Sequence, residues 1–293
     1  MKNFSQTPKP EKTLIFVHIP KTAGSTLSTI LERQYDPSKT WKFYPTYSSA
    51  RESFNYFQKL PESERIKLKL VSGHIYYGLH DLLPQPSTYI TMLRDPIDRL
   101  VSSYYFIRRH STHPFHQDAK SMSLIDFFSC VERTRGFNNC QVRFLAGYDG
   151  DSVNEEVLSL AKQNLQSSFA VVGLQEKFDE SIILMKNLLG WHHHCFYSKK
   201  LVSKKRPAKE NLSPAELKIM EKHNELDLEL YEYARKIFQA RVSELGSDLQ
   251  RNLKFFRYFN QLYESYSYFL ESSHQVQKKI QSVFHNSNDG ISR

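Results

Sequence analysis

Phe16–Thr26, FVHIPKTAGST, is the stretch on which the reading of this chain turns. Thr13–Val17, which leads into it, is a run of aliphatic, β-branched and aromatic residues with the composition of a buried strand. Pro20 lacks an amide hydrogen and cannot continue a central sheet. Gly24 permits a tight turn, and Ser25 or Thr26 can cap a helix that runs on through Leu31. A strand, a short loop and a helix start form an anion site, because unpaired amide hydrogens and the helix dipole converge on the loop. Lys21 adds a mobile cation. The segment reads as a phosphate cradle. It departs from the triphosphate-binding pattern GxxxxGK[ST], whose lysine follows its second glycine; here Lys21 precedes the only glycine and none opens the loop.

With 293 residues, 40% of them hydrophobic and 13% aromatic, the chain can bury a large core and is not a disordered one. Its formal charge of +9 suits an anionic cofactor or substrate, a nucleic acid or a membrane surface, and does not choose among them. Cys130, Cys140 and Cys195 are widely spaced and give neither a disulfide framework nor a metal pattern, so a reducing compartment is expected. Residues 1–12 are polar, carry two prolines and lack the apolar core of a secretory signal; they are expected to be a disordered lead-in. No run approaches the roughly 20 apolar residues that span a bilayer.

Between Gln34 and Glu64 the sequence is rich in aromatics, which can either line a groove or pack a loop and helix onto the core. Leu68–Ser72 is expected to be a second short buried strand, broken at Gly73. His74 then stands just past a strand end, where open α/β sheets place their ligands. His80, beside Asp81, reads as a helix-surface residue. Ser87–Leu93 is another strand, and it runs into RDPIDRLVSSYYF at Arg94–Phe106. Asp95 before Pro96 is a strong helix start. Arg94 at the strand end and Ser102 two turns into that helix can reach one phosphate; equally, Arg94 can pair with Asp98 and pin strand to helix.

PKTAGST followed by a strand and RDPIDRLVSSYY resembles the paired 5′-phosphosulfate and 3′-phosphate motifs of sulfotransferases that use 3′-phosphoadenosine-5′-phosphosulfate (PAPS). GHIYYGL between them is similar to a segment of the uronyl 2-O-sulfotransferases, which act on glycosaminoglycan chains. FNNCQVRFLAG at Phe137–Gly147, the segment Phe169–Trp191 and the acidic-aromatic stretch Glu225–Phe238 extend the resemblance over about Thr13–Val242 in the family's order. The resemblance implies an α/β, P-loop-like three-layer fold with a central, mainly parallel sheet flanked by helices. It implies PAPS as donor and a hydroxylated acceptor, a carbohydrate or glycolipid. Lys21, Thr22, Ala23, Gly24, Ser25 and Thr26 would hold the 5′-phosphosulfate, Arg94 and Ser102 the 3′-phosphate, and His74 would be the base. The uronyl enzymes carry a second histidine two positions earlier, where this chain has Ser72. In the basic segment Lys199–Lys209, Lys204, Lys205 and Arg206 are candidates for a loop over the nucleotide, or simply a solvated basic loop.

No metal is expected, since sulfuryl transfer asks mainly for alignment and charge neutralisation; adjacent residues in HHHC, His192–Cys195, point in different directions and rarely share an ion. Two other readings remain open from the residues alone. One is a P-loop-type nucleotide-triphosphate enzyme, kinase-like, and the other a non-enzymatic basic protein that binds polyanions. Phe169–Gly173 is expected as a strand and Glu176–Leu189 as an amphipathic helix. Ser213-Pro214 with Glu216 starts a helix expected to reach about Leu245 and end at Gly246. The domain is therefore bounded at 13–245, followed by a C-terminal helical extension over 246–284 and a disordered tail, 285–293. The extension holds too many aromatics for a solvated helix, and is expected to pack on the domain, on a second subunit or on a membrane surface. A cytoplasmic, bacterial enzyme with no specific nucleic-acid partner is the expected setting.

Overall fold

A computed structural model describes residues 12–43, 50–130, 137–198, 209–246 and 248–288. Five strands make one sheet among them: β1 (Thr13–Val17), β2 (Thr40–Phe43), β3 (Leu70–Gly73), β4 (Ser87–Leu93) and β5 (Phe169–Leu174). All pairings are parallel, in the order β2-β3-β1-β4-β5. Parallel neighbours cannot be joined by hairpins, and helices supply the crossovers and cover the sheet. β1 is buried along its whole length, as its unbroken apolar run requires.

The chain leaves β1, builds β2 and β3 on one side, then returns to lay β4 and β5 on the other. Loops leaving β1 and β4 therefore diverge at the carboxyl edge and open a crevice there. β2 was not legible in the aromatic stretch 34–64; it is a partly exposed edge strand of only four residues, too short for an alternation to stand out. The same stretch supplies the core residues Phe43 and Phe57, so at these positions the aromatics pack rather than line a groove.

Three sequence expectations need correction. The first helix spans Gly24–Gln34 and its N-cap is Ala23, so Ser25 and Thr26 sit inside the first turn and no side chain caps it. The helix that starts at Pro214 does not run to Leu245. It stops at Lys222, and a second helix spans Glu225–Glu244. The His223 carbonyl accepts from the Asn139 amide at 3.2 Å, while Asp227 accepts from the Gln141 and Val142 amides, so the break docks one helix start onto another. Finally, the C-terminal helix spans Asp248–Asn288, and residues 285–288 of the expected tail are helical. That helix lies on the Phe178–Leu189 helix through Leu249, Leu253 and Phe256, all buried. Among the described residues no helix is long and apolar enough to cross a membrane.

Candidate functional site

At the carboxyl edge of β1, β3 and β4 a cleft of about 610 Å³ gathers Lys21, Ala23–Thr26, His74, Arg94 and Ser102. Its first wall is the loop after β1. Lys21 and Ala23 both take left-handed backbone angles, with φ of 70° and 65°. A non-glycine residue avoids that region unless its surroundings hold it there, and here the bends turn the loop around the helix N-terminus. The Gly24 and Ser25 amides open the helix at the cleft with the positive end of the dipole, while the Thr26 amide donates to the Ala23 carbonyl at 3.1 Å. Thr22 is the exception among the six loop residues named from sequence. It is fully buried and its hydroxyl donates to the Ile19 carbonyl at 2.8 Å, so its side chain shapes the loop and does not line the cleft.

The second wall comes from β4 and the Pro96–Ile107 helix. Asp95 caps this helix, accepting from the Ile97 and Asp98 amides at 3.0 and 3.1 Å, as its sequence predicts. Arg94 is 6% exposed, and its guanidinium donates to the Lys21 carbonyl at 3.2 Å. This contact links the two motifs directly. Gln141, completely buried, accepts from the Arg94 amide at 3.0 Å and donates to the Arg94 carbonyl at 2.9 Å. Through Gln141, the FNNCQVRFLAG segment braces the arginine. One residue before the helix end, Phe106 receives the Lys21 ammonium over its ring at 4.0 Å from the centroid. Ser102, nearly buried, completes this side.

His74 lies between the two walls, just past β3, and it has a partner that sequence reasoning missed. His18 follows β1 directly, and the two rings lie with centroids 4.4 Å apart. The Nδ1 atom of His74 is 2.6 Å from the His18 carbonyl oxygen. A carbonyl can only accept, so Nδ1 carries the hydrogen and Nε2 is left with the lone pair. Burial, then the Lys21 charge, lowers the His74 pKa, against the opposing pull of its bond to the His18 carbonyl. His18 is lowered further, by burial first and then by His74 and Lys21. Both imidazoles are therefore neutral at pH 7. The signal for His18 was in FVHIPK itself, one residue past the strand, but only the register of β1 on β3, Val17 opposite Gly73, shows that it meets His74.

The far side of the cleft was not anticipated: it carries three carboxylates, Glu176, Asp179 and Glu180, beside Lys177 and Arg257. Glu176 accepts from the Asp95 amide and the Tyr231 hydroxyl, at 2.9 and 2.6 Å. Asp179 accepts from Tyr197 and from Arg257, a residue of the C-terminal helix, at 2.7 and 2.9 Å. These carboxylates serve as braces between elements. Lys205 and Arg206 lie outside the described residues; Lys209, at the end of the same basic segment, pairs with Asp95 at 2.8 Å. His80 belongs to a short 3₁₀ turn, Leu79–Leu82, and is held by the Tyr89 hydroxyl at 2.8 Å. Cys195 is buried and His194 packs on Phe196 and Tyr263, so HHHC helps seat the C-terminal helix. Among the described residues no group of three His, Cys, Asp or Glu side chains could hold a metal ion.

Comparison with known proteins gives one consistent family. The sequence model described as galactose-3-O-sulfotransferase matches residues 3–281. A galactosylceramide sulfotransferase of Bos taurus is 28% identical over 263 residues, covering 82% of this chain and 60% of the relative. A heparan sulfate 2-O-sulfotransferase 1 of Homo sapiens is 24% identical over 265 residues, covering 78% of this chain and 71% of the relative. The chain thus spans about 60% of the length of the galactosylceramide enzyme it matches. Among solved structures, a mouse sulfotransferase complexed with PAP aligns at 14% identity and a TM-score of 0.38 over 73% of this chain and 65% of its own. That overlap is too loose to carry an argument about the site.

Proposed function

Because the chain belongs to the galactose-3-O-sulfotransferase family, we propose that it transfers a sulfuryl group from PAPS to a hydroxyl of a carbohydrate or glycolipid acceptor. The observation that carries the proposal is the meeting of the Lys21 loop, Arg94 and Ser102 in one cleft with a neutral, tautomer-fixed His74. The cradle suits the donor. It offers backbone amides at a helix start, an ammonium, a guanidinium and a hydroxyl, and a volume in the ordinary range for small-molecule sites. Lys21, the loop amides and Ser25 would hold the 5′ end, with Arg94 and Ser102 on the 3′-phosphate. Thr22 contributes through the loop's shape.

PAPS supplies the sulfuryl group and leaves as PAP. The Nε2 atom of His74 takes the proton of the acceptor hydroxyl as its oxygen bonds to sulfur, and the electrons of the breaking sulfur–oxygen bond pass to the departing phosphate oxygen. Lys21 and the first-turn amides neutralise that growing charge, the largest single contribution such a site makes. Arg94 holds the loop by its contact with the Lys21 carbonyl, so the loop is already shaped before charge develops. The relatives named above are a galactosylceramide and a heparan sulfate sulfotransferase, which supports a sugar hydroxyl as acceptor. The three thiols are all unpaired, which supports a reducing, cytoplasmic setting as part of the same proposal.

The test is calorimetric titration with PAP of the wild type, Lys21→Ala and Arg94→Ala. Micromolar binding that both substitutions weaken, without comparable ATP affinity, is the expected result. A folded wild type that ignores PAP, or prefers ATP, would overturn the proposal.

A further inference from the structure

The C-terminal helix carries two apolar stripes; the domain covers one and touches the other only at Phe259, which stacks on Phe196 at 5.9 Å. The covered stripe is Leu249, Leu253, Phe256, Asn260 and Tyr263, buried or half-buried against the Phe178–Leu189 helix and the Trp191–Tyr197 segment. Arg257 fastens the same region, pairing with Asp179 at 2.9 Å. Past Tyr263 this stripe turns mostly polar in sequence, at Ser267, His274, Gln277 and Gln281, with Leu270 the apolar exception among these positions.

The second stripe behaves differently. Phe255, Leu262 and Phe269 are spaced by seven residues and are 66%, 51% and 67% exposed. In sequence the same spacing continues at Val276 and Val283. Four residues after each of the first four stand Phe259, Tyr266, Ser273 and Ile280. Eight of these nine positions are apolar or aromatic, alternating by four and three over four heptads. At 1.5 Å per residue the stripe is about 42 Å long. A strict 3.5-residue repeat sustained over this length is the pattern of a seam that meets another helix, not of a face resting on a sheet or lying on a bilayer.

We propose that residues 255–283 pair with the same segment of a second copy of this chain, forming a two-helix coiled coil that makes the protein a dimer. Three observations favour a second copy. From Glu264 to Leu270 the helix is exposed at every position but Ser267, and an uncovered polar-aromatic helix has little stability in water, which pairing of its apolar stripe supplies. The positions flanking the seam hold Tyr258, Ser265, Ser272 and Lys279 on one side and Tyr263, Leu270, Gln277 and Phe284 on the other. Lys279 is their single charge, so two identical helices meet without a row of like charges. The same scarcity of cations flanking the seam argues against an anionic lipid surface as the occupant. Pairing of identical faces about a two-fold axis also closes the assembly at two copies.

The experiment is sedimentation of the full-length protein across low to high micromolar concentrations, with Leu262→Glu, Phe269→Glu and Tyr268→Glu. Leu262 and Phe269 lie in the seam; Tyr268, 74% exposed, lies off it. The wild type and Tyr268→Glu are expected at twice the chain mass, while each seam substitution weakens the dimer by roughly a hundredfold. All three side chains are exposed in the single chain, so at concentrations low enough for every variant to be monomeric their unfolding midpoints should coincide, which separates lost pairing from lost folding. A wild type that is monomeric throughout overturns the inference, and flotation of that monomer with phosphatidylserine vesicles would assign the seam to a membrane. A dimer indifferent to both seam substitutions overturns it as well, by locating the interface elsewhere.

Discussion

Gly24→Ala tests the packing on which the proposed base depends. A Cβ built on Gly24 would lie 1.9 Å from Cδ2, 2.1 Å from Nε2 and 2.7 Å from Cγ of His18. Ordinary contact begins near 3.4 Å, so the His18 ring would have to retreat by about 1.5 Å. It has little room. Phe16 stacks on it at 5.3 Å and an interplanar angle of 10°, and His74 lies 4.4 Å away on centroids. Overpacking of this kind costs about 1–3 kcal/mol. Replacing glycine by alanine inside a helix would by itself gain up to about 1 kcal/mol. The net expectation is a loss of about 1–2 kcal/mol in denaturant unfolding. The larger effect should fall on transfer, because a 1 Å misplacement of a catalytic group can slow reaction by about a hundredfold. Adding His18→Ala removes the obstruction, so the double variant should regain much of the stability lost by Gly24→Ala, a coupling that a double-mutant cycle measures directly. If Gly24→Ala were as stable as the wild type and left the imidazole resonances of His18 and His74 unmoved, the packing argument would be refuted.

Three further outcomes follow from the same geometry. Gln141→Leu leaves the buried Arg94 amide and carbonyl without their partner, and should cost about 1–3 kcal/mol in unfolding while weakening PAP binding, although Gln141 does not line the cleft. Asp95→Ala removes a helix cap and should cost about 1 kcal/mol, more than Asp95→Asn, which keeps a capping oxygen and loses only the charge facing Lys209; urea midpoints of the two variants would rank them. With the pKa values of His18 and His74 lowered on folding, the unfolded chain binds protons that the folded rings refuse. Their contribution to stability is therefore intact above about pH 6.5 and falls as pH drops below it, and the acid limb of kcat/KM should lie below about 6.5 because His74 stays neutral there. An acid limb above that value would exclude His74 as the base.

The parts of this protein legible in its sequence are those whose physics is local. β1 and β4 were readable to the residue because each is an apolar run closed by proline or by a charged helix start. The Asp95-Pro96 start and the Ser213–Glu216 capping box were readable because a cap acts within four residues. The first helix start was misread for the same kind of reason. Serine and threonine are the usual caps, but here the loop bends left-handed at Ala23, a conformation alanine takes only under the constraint of what surrounds it. β2 escaped notice since an edge strand of four residues, three half-exposed and only Phe43 buried, has almost no period. The break at Asn224 is set by a carbonyl that leaves its helix for Asn139, a residue far away in sequence.

The site divides along the same line. The residues proposed to bind the donor lie in two short segments, Lys21–Thr26 and Arg94–Ser102, and sequence could propose them. The relation between those segments could not be read, because it depends on Arg94 reaching the Lys21 carbonyl and on Gln141 clasping Arg94 from a third element. His18 shows the point most clearly. Ser72 stands where the uronyl enzymes have a second histidine, and its side chain is buried. The second imidazole comes instead from the neighbouring strand, because β1 and β3 are paired so that Val17 faces Gly73 and the next residue of each is a histidine. The two rings thus need no nearness in sequence, only parallel strands in that register. A slip of one residue would separate them, since successive side chains point to opposite faces. The register is fixed elsewhere, by the apolar residues of β1 and β3 that the core requires, Leu14 against Leu70 and Ile15 against Val71. Core packing and the placement of the proposed base are therefore one constraint, and a substitution that shifts β1 should disturb His74 without touching it.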